Sequence, residues 1–216
     1  MAIADYTDLE EAVKRTLART DAAFSAAFPG FVAQAEERIY NGFGRPGEAL
    51  YSPPLRVRAM EHTATVTVAD GVGTLPADYL GMRAISQANA IPLAYVTPDE
   101  YRSAMTGSGT PQAYTIEVDS LKTWPVWSGD LSLLYWRRFN ALTSGGGDFT
   151  NNLLIAHPSI FEVAVRGEAF RFSRNTDAEL REAQRLAGMI TAANATARNQ
   201  RYGGRMQVRL RSGGIG

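Results

Sequence analysis

The sequence carries two imidazoles, His62 and His157, and no cysteine. Metal chemistry asks for histidine, cysteine or carboxylate ligands gathered at short spacing, and neither histidine stands in such a cluster. His157-Pro158 reads as the turn before a helix, and His62 lies on the far side of a β-rich stretch, so no shared acid–base role is expected of them. Gly107-Ser108-Gly109-Thr110 is a glycine-rich loop, but it lacks the lysine and spacing of a phosphate loop, and a strand follows it instead of a helix. Gly145-Gly146-Gly147-Asp148 also lacks a phosphate-binding helix, so both segments read as hinges. No G-x-S-x-G nucleophile elbow is present. Glu10-Glu11, Glu36-Glu37 and Asp99-Glu100 pair carboxylates on predicted helices. Helical neighbours point about 100° apart, which suits solvated faces or helix-dipole partners better than a catalytic dyad. The sequence therefore predicts no catalytic residue, no metal ligand, no cofactor site and no enzyme.

Trp124, Trp127, Tyr135 and Trp136 crowd one run of strands. They read as the packed face of a sheet, and an exposed coplanar pair among the tryptophans is the alternative that would hold a sugar. Arg137 and Arg138 are adjacent strand residues, point to opposite faces and form no common basic patch. Formal charge balances at 22 basic against 22 acidic residues, which argues against an overall electrostatic grip on nucleic acid. Its distribution is uneven, because no acid follows Glu182 while Arg185, Arg198, Arg201, Arg205, Arg209 and Arg211 do. Every basic residue except Lys14 and Lys122 is arginine. A GC-rich genome would produce that bias, and interface ion pairs would use it.

These residues sit on elements that the local patterns outline. Apolar residues make up 45% of the 216, an ordinary globular share. No run of apolar residues approaches the length of a membrane-spanning helix, and MAIADYTDLEE is too acidic for a secretory signal. Thr7 with Glu10 predicts a capping box opening a helix through Leu9, Val13 and Leu17. A second helix is expected from about Thr20, broken at Pro29-Gly30 and resumed as FVAQAEERIYNGF. NGFGRPGEALYSPP cannot continue it. RVRAM predicts a short strand, HTATVTVADGVGTL a hairpin turning at Asp70-Gly71, and LPADYLGMRAIS a further strand. Thr97-Pro98-Asp99-Glu100 predicts a short helix over 98–105. QAYTIEVD, SLKTWPVW and DLSLLYWRRF follow as strands, the last two turning near Ser128-Gly129. TSGGGDFTNN is a second flexible joint, with helix expected only after Pro158. SIFEVAVRGEAFRFSR is apolar around most of its circumference, with Glu162 and Arg166 in a narrow polar stripe, as in a central covered helix. Thr176 with Glu179 predicts the cap of a last helix whose stripe runs through Leu180, Ala183, Leu186 or Ala187, Ile190 and Ala193, antiparallel to the one before.

The expected fold is α+β. N- and C-terminal helices (5–41 and 153–199) form one helical bundle, around a central β-rich lobe, and an extended C-terminal tail follows. By residue, 1–54 is the first half of the bundle with a linker at 41–54. Residues 55–142 are the lobe, 143–200 a linker and helical hairpin, and 201–216 the tail. RYGGRMQVRLRSGGIG has four arginines, five glycines and no acid, so it orders only against a partner surface.

FVAQAEERI, LPADYLGMRAI, PLAYVTPDEYRSAM, GSGTPQAYTIEVDSLKTWP, LSLLYWRRFNALT, HPSIFEVAVRGEAF and NQRYGGRMQVR occur in this order. The series resembles the head-to-tail adaptor (connector) proteins of tailed bacteriophages, those of short-tailed phages in particular, over about residues 30–210. The resemblance implies a structural virion protein assembled in the host cytoplasm. Its homo-oligomeric ring, commonly of twelve copies, would dock under the portal protein and carry the tail or nozzle proteins. Genomic double-stranded DNA would pass through without sequence-specific binding, and no membrane would be involved. It also implies that the C-terminal segment reaches the portal, which makes Arg198, Arg201, Tyr202, Arg205, Met206, Arg209 and Arg211 the candidate docking residues. A tail-tube or stopper component, and a carbohydrate-binding module, are the competing readings.

Overall fold

The chain is seen in a computed structural model that describes residues 3–87, 92–104, 107–144 and 149–201. It divides into two compact units, one made of residues through Arg58 and from His157, the other of Ala59–Ala156. The architecture is α+β: four long helices in the first unit, a curled mixed sheet in the second.

In the helical unit Asp5, not Thr7, caps α1 (Tyr6–Leu17), its carboxylate accepting the Asp8 N–H at 2.9 Å. An aspartate at this position satisfies an otherwise unpaired helix donor as well as threonine does. Tyr6, Leu9 and Val13 face inward. Asp21 caps α2 (Ala22–Asn41) in the same way, through the Phe24 N–H at 2.9 Å. The expected break at Pro29-Gly30 does not occur, and α2 is continuous. Both residues are exposed, so water can satisfy the carbonyl that the proline leaves unbonded. On the opposite face Phe24, Phe28, Phe31, Val32, Ala35 and Ile39 hold the helix against the core.

After α2 the chain reverses. Gly42 takes φ 75°, and Phe43 and Ser52 exchange two backbone hydrogen bonds of 2.8 and 2.9 Å. The Leu55 N–H then returns to the Ile39 carbonyl, and the Arg56 guanidinium donates to the Tyr40 carbonyl at 2.7 Å. A cation at the last carbonyls of a helix complements its dipole. The expected RVRAM strand is absent. Arg58–Met60 form a single 3-10 turn, because the amide of Arg56 and the carbonyl of Pro54 are taken by the Asn194 side chain at 2.7 and 2.9 Å and not by a neighbouring strand.

α5 (Pro158–Phe172) begins with its proline in the first turn and is buried on nearly every side. Asn175, not the Thr176–Glu179 pair, caps α6 (Thr176–Arg201), accepting the Ala178 N–H at 3.2 Å. Ala183, Leu186 and Ile190 of the expected stripe are buried, joined by Ala178 and Ala197, while Leu180 and Ala193 are half-buried.

The second unit is a seven-stranded sheet in the order β3-β7-β1-β2-β6-β5-β4. Its strands are β1 (Glu61–Ala69), β2 (Val72–Thr74), β3 (Tyr79–Gln87), β4 (Ala94–Tyr95), β5 (Ala113–Glu117), β6 (Ser120–Trp124) and β7 (Gly129–Arg137). Asp70 and Gly71 both have positive φ, 49° and 78°, as a two-residue hairpin loop of type I′ requires. All pairings are antiparallel except β4 with β5. The Leu93 N–H bonds to the Ile85 carbonyl at 2.8 Å, bringing the run into β4 against β3, so the sheet curls on itself. β6 and β7 do not pair, although they are consecutive. The chain crosses at Ser128–Gly129 from beside β2 to beside β1. Val66, Val68, Leu131, Leu133 and Tyr135 share the inner face with Ile85, Leu93 and Leu121. A short helix α3 (Pro98–Ala104) carries the expected cap, in which Thr97 N–H and Glu100 Oε2 bond at 2.9 Å. Residue 105 of the expected span lies outside the described residues. α4 (Asn152–Ala156), capped by Asn151, is an additional helix between the joint expected at 143–152 and the helix expected after Pro158.

A Cβ on Gly42 would come within 2.7 Å of the Ser52 carbonyl oxygen and 2.9 Å of Pro54 N, both backbone atoms. Gly47 also has positive φ, 99°, but its Cβ would meet nothing within 4 Å. Gly42→Ala should destabilise the protein by about 2–3 kcal/mol, strain plus clash. Gly47→Ala should cost about 1 kcal/mol, strain alone. Urea unfolding followed by helical circular dichroism measures both, and equal losses would refute the clash.

Candidate functional site

Charged side chains are gathered inside the helical unit. Arg38 of α2 and Glu168 of α5 are 4% and 2% exposed, with Nη2 and Oε1 2.9 Å apart. Oε2 of the same carboxylate lies 3.1 Å from Arg171 Nη1, and Arg171 Nε donates to Glu179 of α6 at 2.9 Å. Neither contact to Glu168 has hydrogen-bond geometry, so the attraction is that of opposite charges in a poorly polarisable interior. Burial holds the Arg38 guanidinium below its ordinary value, and the Glu168 charge opposes that effect. A second link joins α5 to α6, where Arg166 donates to Glu162 at 3.0 Å and to Glu182 at 2.7 Å. The expected polar stripe of Glu162 and Arg166 thus faces α6.

Where the network reaches the surface it lines a depression of about 280 Å³ with Gln34, Glu37 and Phe43. Both guanidinium groups lie over the Phe43 ring, Arg38 at 4.6 Å and Arg171 at 5.8 Å. The carboxylate is committed to two arginines, and no nucleophile or acid–base pair converges here. The site holds elements together.

His62 is exposed on β1 and meets Tyr135 edge-on at 5.7 Å. His157 sits at the start of α5 without a side-chain capping bond, and its burial lowers its tendency to take a proton. No group of histidine, aspartate or glutamate among the described residues could hold a metal ion. Trp124, Trp127 and Trp136 are all half-buried, and none is exposed as a sugar platform needs. Gly107 and Gly109 flank a bridge from Ser108 to Val126 that ties the loop to the sheet. Residues 145–148 lie outside the described residues. Glu36 corrects the expectation of a solvated Glu36-Glu37 face, because it is 2% exposed while Glu37 faces out. Of the proposed docking residues, Arg198 is exposed near the end of α6 and Arg201 closes that helix. Tyr202, Arg205, Met206, Arg209 and Arg211 lie outside the described residues.

Arg38, Glu168 and Asn194 were not singled out from the sequence. Two of them carried a signal: Arg38 falls three residues after Ala35 on the buried face of α2, and Glu168 lies off the Glu162–Arg166 stripe.

The family model described as SU10 adaptor protein matches residues 4–211. The chain belongs to the SU10 adaptor protein family. This is a family of phage head-to-tail adaptors, the class that the ordered series of motifs resembled. No curated protein matches the chain. No helix among the described residues of this adaptor is long and apolar enough to cross a membrane.

Two outcomes test the buried site of this adaptor. Glu168→Gln removes the nearest counter-charge of the Arg38 cation and should cost about 3 kcal/mol of stability. The paired replacement Arg38→Met with Glu168→Leu should come within about 1 kcal/mol of the parent protein, since two apolar groups owe no desolvation. Denaturant titration of the three proteins decides it, and a double variant as unstable as the single one would disprove the desolvation argument. For His157, the folded imidazole resists protonation more than the unfolded one, whose ordinary value is about 6.5. The unfolded chain therefore binds more protons as the pH drops through that value, and stability falls until the lower folded value is passed. His157→Gln should lose less stability than the parent between pH 7.5 and 5.5, and identical losses would reject the assignment.

Proposed function

We propose that this adaptor forms a homo-oligomeric ring, of twelve copies, which docks under the portal protein at the capsid vertex. The ring continues the DNA channel and offers the tail or nozzle proteins their platform. The observation that carries the reading is the family match over residues 4–211. The helical bundle (1–54 with 143–200) packs around the ring, the β-rich lobe is residues 55–142, and residues 201–216 reach the portal. Repetition by symmetry multiplies a modest contact into a stable assembly.

Arg198, Arg201, Arg205, Arg209 and Arg211 supply bidentate bonds to carboxylates of the portal, and Tyr202 and Met206 supply apolar contact. The glycines leave the segment free to follow a partner's surface, with ordering entropy lost only on docking. Balanced overall charge, 22 against 22, suits a channel through which phosphates must slide. The chain works at the neck of the virion after assembly in the host cytoplasm. The half-buried tryptophans give the carbohydrate-binding alternative no platform.

Mass and symmetry of the purified chain, alone and mixed with portal protein, test the ring. A persistent monomer without portal affinity would reject it. Deleting residues 203–216 should leave the melting temperature within about 2 °C of the parent, because a segment without a core adds little to a fold. Portal attachment should weaken by roughly tenfold or more. Full attachment by the truncated chain would remove the docking role.

A further inference from the structure

Asn41 is followed by Gly42, and no other asparagine in the chain precedes a glycine. An asparagine loses its amide when the main-chain nitrogen of the next residue attacks the side-chain carbonyl. A glycine at that place leaves the nitrogen unshielded and its backbone free to turn. Asn41 is the last residue of α2 and is exposed, so the water that completes the reaction has access to it.

The helix end holds the reacting atoms apart. The Gly42 N–H donates to the Arg38 carbonyl at 2.9 Å, closing the last turn of α2. While that bond stands, the nitrogen faces back along the helix and cannot swing onto Cγ of Asn41. The side-chain amide is engaged as well, Nδ2 donating to Glu37 Oε1. One residue earlier the Arg56 guanidinium holds the Tyr40 carbonyl at 2.7 Å, and one residue later Phe43 and Ser52 exchange their two backbone bonds. The Ser52 and Pro54 backbones lie so close to Gly42 that even a Cβ would meet them at 2.7 and 2.9 Å. The Asn41–Gly42 peptide therefore turns only if the reversal opens.

We propose that Asn41 is a deamidation site gated by the last turn of α2, shut while Gly42 and Arg56 hold that turn and active when it opens. In the open state the Gly42 nitrogen bonds to Cγ of Asn41 and gives up its hydrogen, and the side-chain nitrogen leaves as ammonia. Water then adds to one carbonyl of the five-membered imide. Addition at Cγ leaves aspartate, and addition at the main-chain carbonyl leaves isoaspartate, whose backbone runs through Cβ and Cγ. Either product puts a carboxylate four residues after Glu37, at the negative end of the helix dipole, where a like charge is unfavourable. The turn does not reclose as it was, so the modification runs in one direction. Opening of this kind is local and needs no global unfolding. Neither the site nor its gate rests on the adaptor reading.

The test follows the full-length chain in mildly alkaline buffer, native and in strong urea, with the tryptic peptide 39–45 read by mass spectrometry for aspartate and isoaspartate. Asn41 should convert at least roughly tenfold more slowly in the native chain than in the unfolded one. Arg56→Met, which frees the Tyr40 carbonyl, should speed the native reaction by roughly tenfold. Leu9→Ala instead removes a buried side chain of α1. Well below its melting temperature it should leave the rate within about twofold of the parent. Asn41→Asp, the aspartate product made directly, should lower the melting temperature by roughly 2–4 °C. Equal rates in native and unfolded chains would overturn the gate, and an unmodified peptide after prolonged incubation in urea would overturn the site. Acceleration by Leu9→Ala as large as that by Arg56→Met would place the reaction in the globally unfolded chain. A parental rate in Arg56→Met would remove Arg56 from the gate, and a parental melting temperature in Asn41→Asp would reject the one-way character.

Discussion

The helical unit depends on a charge that is almost wholly withdrawn from water. Arg38 is buried on α2, and an arrangement of α2 and α5 that separated it from Glu168 would remove its nearest counter-charge. Desolvating an ion costs several kcal/mol even in a relaxed protein interior, so the helices are confined to the register in which Glu168 meets it at 2.9 Å. The pair therefore specifies more than it stabilises. Apolar stripes on α2, α5 and α6 would tolerate sliding by a turn, since one alanine or leucine surface resembles the next. A buried ion pair does not tolerate it. Arg171 extends the constraint from Glu168 to Glu179, and Arg166 repeats it at Glu182, so α6 is fixed against α5 at two levels.

Backbone polarity imposes the second constraint, and Asn194 meets it. The segment 54–56 leaves α2 extended and carries an amide and a carbonyl that need partners. A strand would normally supply them, and one asparagine on α6 does so here, bonding both at 2.7 and 2.9 Å. Arg56 uses the same reversal to cover the Tyr40 carbonyl of α2 and the carbonyl of Leu55. The loop between Gly42 and Pro54 is thus tied at its two ends, although its composition is that of a linker.

Local chemistry was legible in the sequence, and the choice of partners was not. Asp70-Gly71 and the Thr97–Glu100 cap were readable because a turn or a cap is decided by adjacent residues. The covered character of α5 was readable because its apolar residues encircle it. The continuity of α2 through Pro29 was not, because it depends on which face of the helix meets water. The separation of β6 from β7 was not readable either, since a strand pattern states that a strand forms and never which edge it joins. RVRAM shows the same limit. Its alternation suits a strand, but its neighbour is a side chain of α6, 138 residues away. The buried charges escaped attention because arginine and glutamate on a helix usually face out. Only their position relative to Ala35, or to the Glu162–Arg166 stripe, told against it.

The charges inside the helical unit follow one logic: Arg38 is met by Glu168, Arg171 by Glu168 and Glu179, and Arg166 by Glu162 and Glu182, so they tie helices to one another. Arg38, Glu168 and Arg171 are committed to one another, while His62 lies on an exposed strand face, His157 at a helix start, and Glu117 against a lysine and an arginine. An interior whose helices are tied by buried ion pairs suits a member of an adaptor family, because binding energy is lost wherever the joint itself can yield.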